Sequence, residues 1–325
     1  QCFDSYRKFE GRDLWQGAEF GREDREKWIM ISVVMTTYNG EKFIAKQLYS
    51  ILEQTLLPSE IIVCDDRSTD HTVELIEHLA GESKIPIYIY QNRQRLGFAL
   101  NFKRAIEYAK GDYIFLSDQD DIWRKDKIEL CVGCLERNQG ILSLSSNYMI
   151  MSENGNVQVS GTGDGSLSKI SLKSFGQHPK YPGMAMVFRR NIWNKMIQEK
   201  RIDWSKGVAH DWAINFVAAV EGGMYFLDEK LVYYRQHLEN TAGMLRYQDK
   251  SQRFMQRGKT IEGLIRNWDS VNQEDHLVKA QRRFQKKRLD LFRKKKVMQL
   301  IVWELQHLEY ISKKSMLGDL YALIR

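Results

Sequence analysis

"IFLSDQDDIW" (residues 114–123) sets three carboxylates, Asp118, Asp120 and Asp121, within four positions directly after an apolar run. Carboxylates this close repel one another, and a strand that merely ends has no use for them. A solvated turn in which Asp121 caps a helix starting near Trp123 needs one aspartate, not three. A divalent-cation site accounts for the set, because Mg2+ or Mn2+ takes oxygen ligands and keeps substrate phosphates among them. The apolar run then reads as a buried strand that delivers acids to a site, and that reading decides the fold.

Three similar runs precede it. "ISVVMTT" (31–37), "EIIVCDD" (60–66) and "IPIYIY" (85–90) are short, apolar and rich in β-branched residues, as strands covered on both faces are. Helical spacing separates them: Ile44, Leu48, Ile51 and Leu52, then Val73, Ile76 and Leu79 behind N-cap chemistry at Ser68–Asp70, then Phe102, Ile106 and Ala109 with Gly111 as a stop. Strands alternating with helices predict right-handed crossovers and a mainly parallel sheet, whose ligands sit beyond the carboxyl ends of the strands. Polar residues gather there: Thr36 to Asn39, Asp65–Asp66, and Asp118 to Asp121. Tyr38 offers a flat face to a base, and Asp66 can accept a hydrogen bond from a base or ribose. Together the strand ends predict a nucleotide pocket.

The alternation then stops. "ILSLSSNYMIM" (141–151), "GMAMVFRR" (183–190) and "MYFLDEKLVYYRQH" (224–237) read as strands that extend the same sheet, with a Gly/Ser-rich loop at 160–168 and a helix from His210 to Val220. Beyond residue 245 the pattern is helical. Phe284, Leu291, Met298 and Leu305 recur every seventh residue beside Ile301 and Leu308, a stripe expected to pack on the catalytic domain or on a second subunit in a homodimer. Residues 279–296, KAQRRFQKKRLDLFRKKK, contain Asp290 as their only acid, which suits a solvated helix face, a phosphate-rich partner or an anionic membrane surface. The domains expected are an N-terminal extension (1–29) outside the core, a catalytic domain (30–245) and a basic helical region (246–325).

Bulk properties exclude several classes. With 43% hydrophobic and 28% charged residues over 325 positions, the chain has material for a large core and is neither disordered nor a membrane bundle. Four cysteines give no disulfide framework, and the Cys131-Val-Gly-Cys134 pair lies in a helical pattern without partners for a metal, so a reducing cytoplasm is expected. Neither a spanning segment nor a signal peptide is visible.

"SVVMTTYNGEKFIAKQLYSILEQTLLPSEIIVCDDRSTDHT" (32–72), followed by "LGFALNFKRAIEYAKGDYIFLSDQDDIW" (96–123), resembles the family 2 inverting glycosyltransferases of GT-A fold. The likeness spans residues 30–240 and rests on four motifs in order: T-x-Y-N, D-D-x-S-x-D, D-x-D-D and a late His-Asp. It implies an α/β fold with a Rossmann-like, mainly parallel sheet flanked by helices, and a helical C-terminal extension. It also implies roles. Thr36, Tyr38 and Asn39 would line the base pocket; Asp66 would bond the base, with Ser68 nearby. Asp118 would face ribose and metal, and Asp120 would be the main ligand to Mg2+ or Mn2+. Arg235 would contact the diphosphate and His237 would join the metal, while Arg95 is a weaker diphosphate candidate. Asp211 would be the base that deprotonates the acceptor; left to itself, Asp211 reads as an N-cap.

Such a reaction is a single displacement. It needs one general base and a cation at the leaving diphosphate, and no covalent nucleophile. "SDQDDIW" with "HDW" and "RQH" is similar to rhamnosyltransferases of bacterial surface-polysaccharide assembly. That likeness implies a dTDP- or UDP-linked donor, dTDP-rhamnose first. It also implies a glycan or lipid-linked glycan acceptor, and basic helices against the anionic inner face of the plasma membrane. Two alternatives stand beside it. A sugar-phosphate nucleotidyltransferase would want a Gly-rich triphosphate loop, whereas "TTYNGEKF" has one glycine. A non-enzymatic nucleotide-sugar or nucleic-acid binder would want its basic residues interleaved with aromatics; here they lie apart from the acidic pocket, and no nucleic acid is expected.

Overall fold

The computed structural model describes residues 7–8, 29–158, 163–179, 181–237, 250–272 and 275–324. Most of the expected N-terminal extension, residues 159–162 of the Gly/Ser-rich loop and the segment after His237 lie outside the described residues. The chain divides into two compact units. One comprises Gln1–Ser168, Pro182–Ile192 and Tyr225–His237; the other comprises Lys169–Tyr181, Trp193–Met224 and Leu238–Arg325.

In chain order the first unit begins with β1 (Arg7–Lys8), β2 (Ile31–Thr37), α1 (Ile44–Leu52), β3 (Glu60–Asp65) and α2 (Thr72–Glu82). Next come β4 (Ile87–Gln91), α3 (Phe98–Tyr108), β5 (Tyr113–Ser117), β6 (Ile122–Trp123), α4 (Lys127–Arg137), β7 (Ser143–Ser152) and β8 (Val157–Gln158). After β9 (Leu167–Lys169) and α5 (Leu172–Gln177) follow β10 (Met186–Arg189), α6 (Arg190–Gln198), α7 (His210–Val220) and β11 (Met224–Gln236). Four helices complete the chain: α8 (Lys250–Asp269), α9 (His276–Arg293), α10 (Val297–Leu305) and α11 (Lys313–Ile324).

The strands form one sheet in the order β1-β4-β3-β2-β5-β10-β7-β11-β6, with β8 on β7 and β9 on β11. Its centre is parallel, β4-β3-β2-β5, and β10 joins antiparallel to both β5 and β7. Every residue of β2, β3 and β5 is buried, which explains why these runs are apolar throughout and do not alternate. Register aligns their ends: Thr37 pairs with Asp65, and Met35 with Ser117. The polar residues that follow each strand therefore emerge at one edge.

Three readings of the sequence are decided here, the first being the alternative to a cation site at Asp121. Asp121 caps no helix. Residues Ile122–Trp123 form β6, paired with Tyr233 and Val232 of β11, and α4 begins only at Lys127. The seven-residue stripe is not continuous: α9 stops at Arg293, Lys295 takes a left-handed φ of 52°, and α10 begins only at Val297. Phe284 and Leu291 are buried, but Met298 and Leu305 face water. Nor is the basic run simply a solvated face, because Arg288 is 1% exposed. It lies among α8–α11, donating to Asp319 at 2.8 and 2.9 Å, to Glu304 at 3.1 Å and to Gln285 at 3.0 Å, while Arg257 also pairs with Asp319.

Candidate active site

The first unit's site is a set of loops tied to one another just past the parallel strands. Thr36, inside β2 opposite Cys64, is buried. Tyr38 follows the strand, and the Gln119 amide clamps its backbone: Tyr38 N donates to Gln119 Oε1 at 2.8 Å, and Gln119 Nε2 donates to Tyr38 O at 3.0 Å. Gly40 makes room for that clamp, since a Cβ there would lie 2.3 Å from Gln119 Oε1. The Arg95 guanidinium lies 3.7 Å from the centre of the Tyr38 ring. Asn39, with φ of 47°, donates from its N–H to Ser68 Oγ at 2.9 Å and accepts from Thr69 N at 2.9 Å.

Two adjacent acids end β3 and do different work. Asp65 accepts from Thr37 Oγ1 at 2.9 Å and from Ser68 N at 2.9 Å, which fixes the loop in which Ser68 sits. Asp66 accepts from Leu96 N (2.7 Å), Gly97 N (2.8 Å) and Asn92 Nδ2 (2.8 Å). It thereby anchors the loop that carries Arg95 at the start of α3. Asp66 Oδ1 takes two of these bonds and Oδ2 one, so Oδ2 retains a lone pair for a further donor.

The acids of β5 meet the end of β11. Asp120 Oδ2 is 2.8 Å from His237 Nε2, and both side chains are largely shielded. Arg235 is 2% exposed; its Nε donates to Asp120 O at 2.8 Å, a second guanidinium nitrogen donates to Glu153 O at 2.9 Å, and its backbone N–H donates to Asp121 Oδ1 at 3.0 Å. The Phe43 ring lies against both, 4.9 Å from the His237 ring and 4.8 Å from the Arg235 guanidinium. Asp118 is half-buried at the strand's end.

Asp121 is 0% exposed, and its Oδ2 has no hydrogen-bond partner. Burial first, then the charges of Asp120 and Asp118, hold its carboxyl well above the usual range. Beneath it, Lys127 is also fully buried. Its Nζ donates to Met184 O at 2.6 Å and stands 3.6 Å from the Trp123 ring centre. Burial pushes that ammonium down to about 7, against the pull of Asp121 and Asp118. Sequence reasoning missed Lys127, Gln119 and Phe43, whose only signal is their nearness to the aspartates and to Asn39.

Asp211 belongs to the second unit, in the first turn of α7. The N-cap there is Ala209, without a side-chain cap bond, so Asp211 does not cap the helix. Its Oδ1 accepts from Trp212 N at 2.7 Å. His210 is buried, and burial pushes its imidazole down to about 4, which keeps it neutral. Cys131 and Cys134 are buried within α4, and burial raises the Cys131 thiol to about 12, which suits packing and not redox chemistry.

The donor set of the β5 corner is oxygen-rich with one imidazole, which fits Mg2+ or Mn2+. Among the described residues no three His, Cys, Asp or Glu side chains form a ready cage. A magnesium-type site, completed by substrate phosphates, needs only one or two carboxylates from the protein.

Residues 32–196, just over half of the chain, match the model of glycosyl transferase family 2. The chain belongs to that family, and it is a glycosyltransferase. It is 32% identical over 217 residues to the dTDP-rhamnosyl transferase RfbG of Shigella flexneri, a match that covers 64% of this chain and 73% of that protein. Over 126 residues it is 33% identical to WfgD of Escherichia coli, a UDP-Glc:alpha-D-GlcNAc-diphosphoundecaprenol beta-1,3-glucosyltransferase, covering 38% of this chain and about half (48%) of WfgD. Among solved structures it is similar to S. aureus TarS in complex with UDP-GlcNAc (TM-score 0.55, 16% identity, 91% of this chain and 81% of that one). It is also similar to the mannosyltransferase PcManGT of Pyrobaculum calidifontis in complex with GDP-Man and Mn2+ (TM-score 0.56, 14% identity, 92% and 75%). The fold is GT-A. Family membership sets aside the nucleotidyltransferase and non-enzymatic alternatives.

Proposed function

We propose that the chain is a metal-dependent, inverting transferase that moves a sugar, with dTDP-rhamnose the leading donor, to a hydroxyl of a growing bacterial glycan. The observation that carries this reading is the corner where β5 ends, with Asp118 past the strand and Asp120 bonded to His237 of the β11 end. Asp118, Asp120 and His237 would hold Mg2+ or Mn2+, and the bound ion would neutralise charge on the departing diphosphate. Tyr38 presents its ring to the base; Thr36, Asn39, Asp66 and Ser68 shape the pocket around it. Arg235 adds a cation beside the diphosphate.

Asp211 takes the proton of the acceptor hydroxyl as that oxygen bonds the anomeric carbon. The carbon–oxygen bond to the nucleotide breaks on the opposite face, and its electron pair leaves with the diphosphate. Support for the donor comes from RfbG, and support for the metal comes from the Mn2+ of PcManGT. The name of WfgD supports a lipid-diphosphate-linked acceptor, and with it a place at the inner face of the plasma membrane. Among the described residues no helix is long and apolar enough to cross a membrane.

A thermal-shift panel of dTDP, UDP and GDP, each with and without Mn2+, tests this. The matching nucleotide raises Tm by several degrees with Mn2+, by mass action, and EDTA removes the shift. No response to any of the three would sink the proposal.

A further inference from the structure

The helix α10 is nine residues of mostly apolar sequence, VMQLIVWEL, yet its buried residues are only Leu300 and Glu304. Met298 is 70% exposed, Val302 48% and Leu305 54%. Spaced i, i+4 and i+7, they share one face. Single exposed apolar residues are ordinary; a row of three on one short helix marks a surface that something covers.

Cations border this row. Arg293, Lys294, Lys295 and Lys296, all exposed, lead directly into α10. Arg293 pairs with Glu262 and Lys294 with Asp290, while Lys295 and Lys296 extend the positive end. A groove of about 320 Å³ brings Lys287 of α9 beside Leu291, Met298, Val302 and Trp303. Apolar side chains and ammonium groups thus line the same surface.

We infer that α10 and its bordering lysines are a docking surface for an anionic lipid bilayer. A helix with an apolar row and a cationic border lies in the interface, its row set among the acyl ends and its cations among the headgroups. A second copy of the chain fits this surface poorly. In a two-fold dimer the same patch serves both copies, so both cationic borders would be drawn into one interface. The helix, about 14 Å long, also falls short of the roughly 800 Å² per partner that a stable dimer buries. The inference stands independently of the donor and mechanism proposed above, and it narrows membrane contact from the C-terminal helices in general to one of them.

The test is co-sedimentation of the full chain with mixed phosphatidylglycerol–phosphatidylcholine vesicles, and with phosphatidylcholine vesicles alone, at low and high salt. The chain is expected on the anionic vesicles only, and less at high salt. A Met298→Gln/Val302→Gln/Leu305→Gln variant alters exposed positions only and should lose binding while keeping its circular dichroism and its turnover of a water-soluble acceptor. A Lys287→Gln/Lys295→Gln/Lys296→Gln variant should bind on the order of a hundredfold more weakly. Equal binding to neutral vesicles, or unchanged binding by the first variant, would overturn the inference. So would a dimer seen by light scattering that the first variant dissolves, which would give the surface to a second copy. Loss of turnover in the parent chain, with vesicle binding intact, would count against the transferase mechanism and not against this surface.

Discussion

Arg288 and Asp121 are both almost wholly withdrawn from water, and their surroundings differ. Around Arg288 the guanidinium hydrogens are well supplied with acceptors, although Glu304 Oε2 has no hydrogen-bond partner. Two arginines, Arg288 and Arg257, meet two acids, Asp319 and Glu304, and Gln285 and Ser315 take further guanidinium hydrogens. Around Asp121 the account stays open. Three carboxyls share four positions, Lys127 is driven toward neutrality by burial, and one Asp121 oxygen has no partner. Arg235 gives hydrogens to the backbone carbonyls of Asp120 and Glu153. The first cluster ties α8, α9, α10 and α11 together; the second gathers carboxyls at a strand end, where the proposed metal would bring positive charge.

The contrast makes opposite predictions for the two places. Arg288→Met deprives the buried Asp319 carboxylate of one of its two arginines and should cost about 3–5 kcal/mol of stability in denaturant unfolding. Turnover per folded molecule should not change. Asp120→Asn should do the reverse, lowering kcat on the order of 10²–10³-fold with Tm held near the parent value. Asp211→Asn belongs with it, at about 10²–10⁴-fold. If Asp120→Asn instead unfolds the protein and spares turnover, the β5 corner is structural and the contrast disappears.

Protonation sharpens the same comparison. Burial first, and Asp319 second, push the Glu304 carboxyl up to about 9 from a reference value of 4.5, against the pull of Arg288. The fold therefore keeps a proton that the open chain has already released. Stability from this group is complete below 4.5 and is lost as pH rises through about 9. Glu304→Gln keeps a neutral hydrogen-bonding group, so its Tm should decline less than the parent's between those limits. Parallel declines for parent and variant would show that Glu304 is ionised within the fold.

Much of the parallel core was legible because β2, β3 and β5 are buried on both faces, and such strands have no choice but to be apolar. Their polar ends follow from the direction the chain runs. What escaped depends on distant partners. Ile122–Trp123 become a strand only because Val232 and Tyr233 reach them from 110 residues away, which no local pattern near Asp121 can report. Arg288 is indistinguishable from its solvated neighbours in the sequence, since Asp319, which buries it, comes 31 residues later. The seven-residue apolar repeat holds on paper across Lys294–Lys296 and fails in space, because Lys295 turns left-handed there. In the candidate site, Asp118 and Asp120 stood out by chemistry and His237 only through the family likeness, whereas Gln119 is an ordinary amide until Tyr38 is seen between its two bonds.

That amide gives the mildest prediction and the finest test of how the open cluster is held. Gln119 sits between Asp118 and Asp120, so its grip on Tyr38 couples the β2 loop, where a base would stack, to the acids of the β5 corner. A Cβ in Gly40→Ala would lie 2.3 Å from Gln119 Oε1. The obstacle is the end of a flexible side chain, so Gln119 should swing aside and the fold survive, at a cost of about 1 kcal/mol per bond lost. Donor KM should rise several-fold while kcat changes little, because the pocket loosens and the groups proposed to hold the metal and take the proton stay. Gln119→Ala should reproduce the pattern, and combining the two should add almost nothing, since both remove one clamp. Additive losses would mean that Gly40 serves the backbone itself, and that the loops past β2 and β5 are held independently.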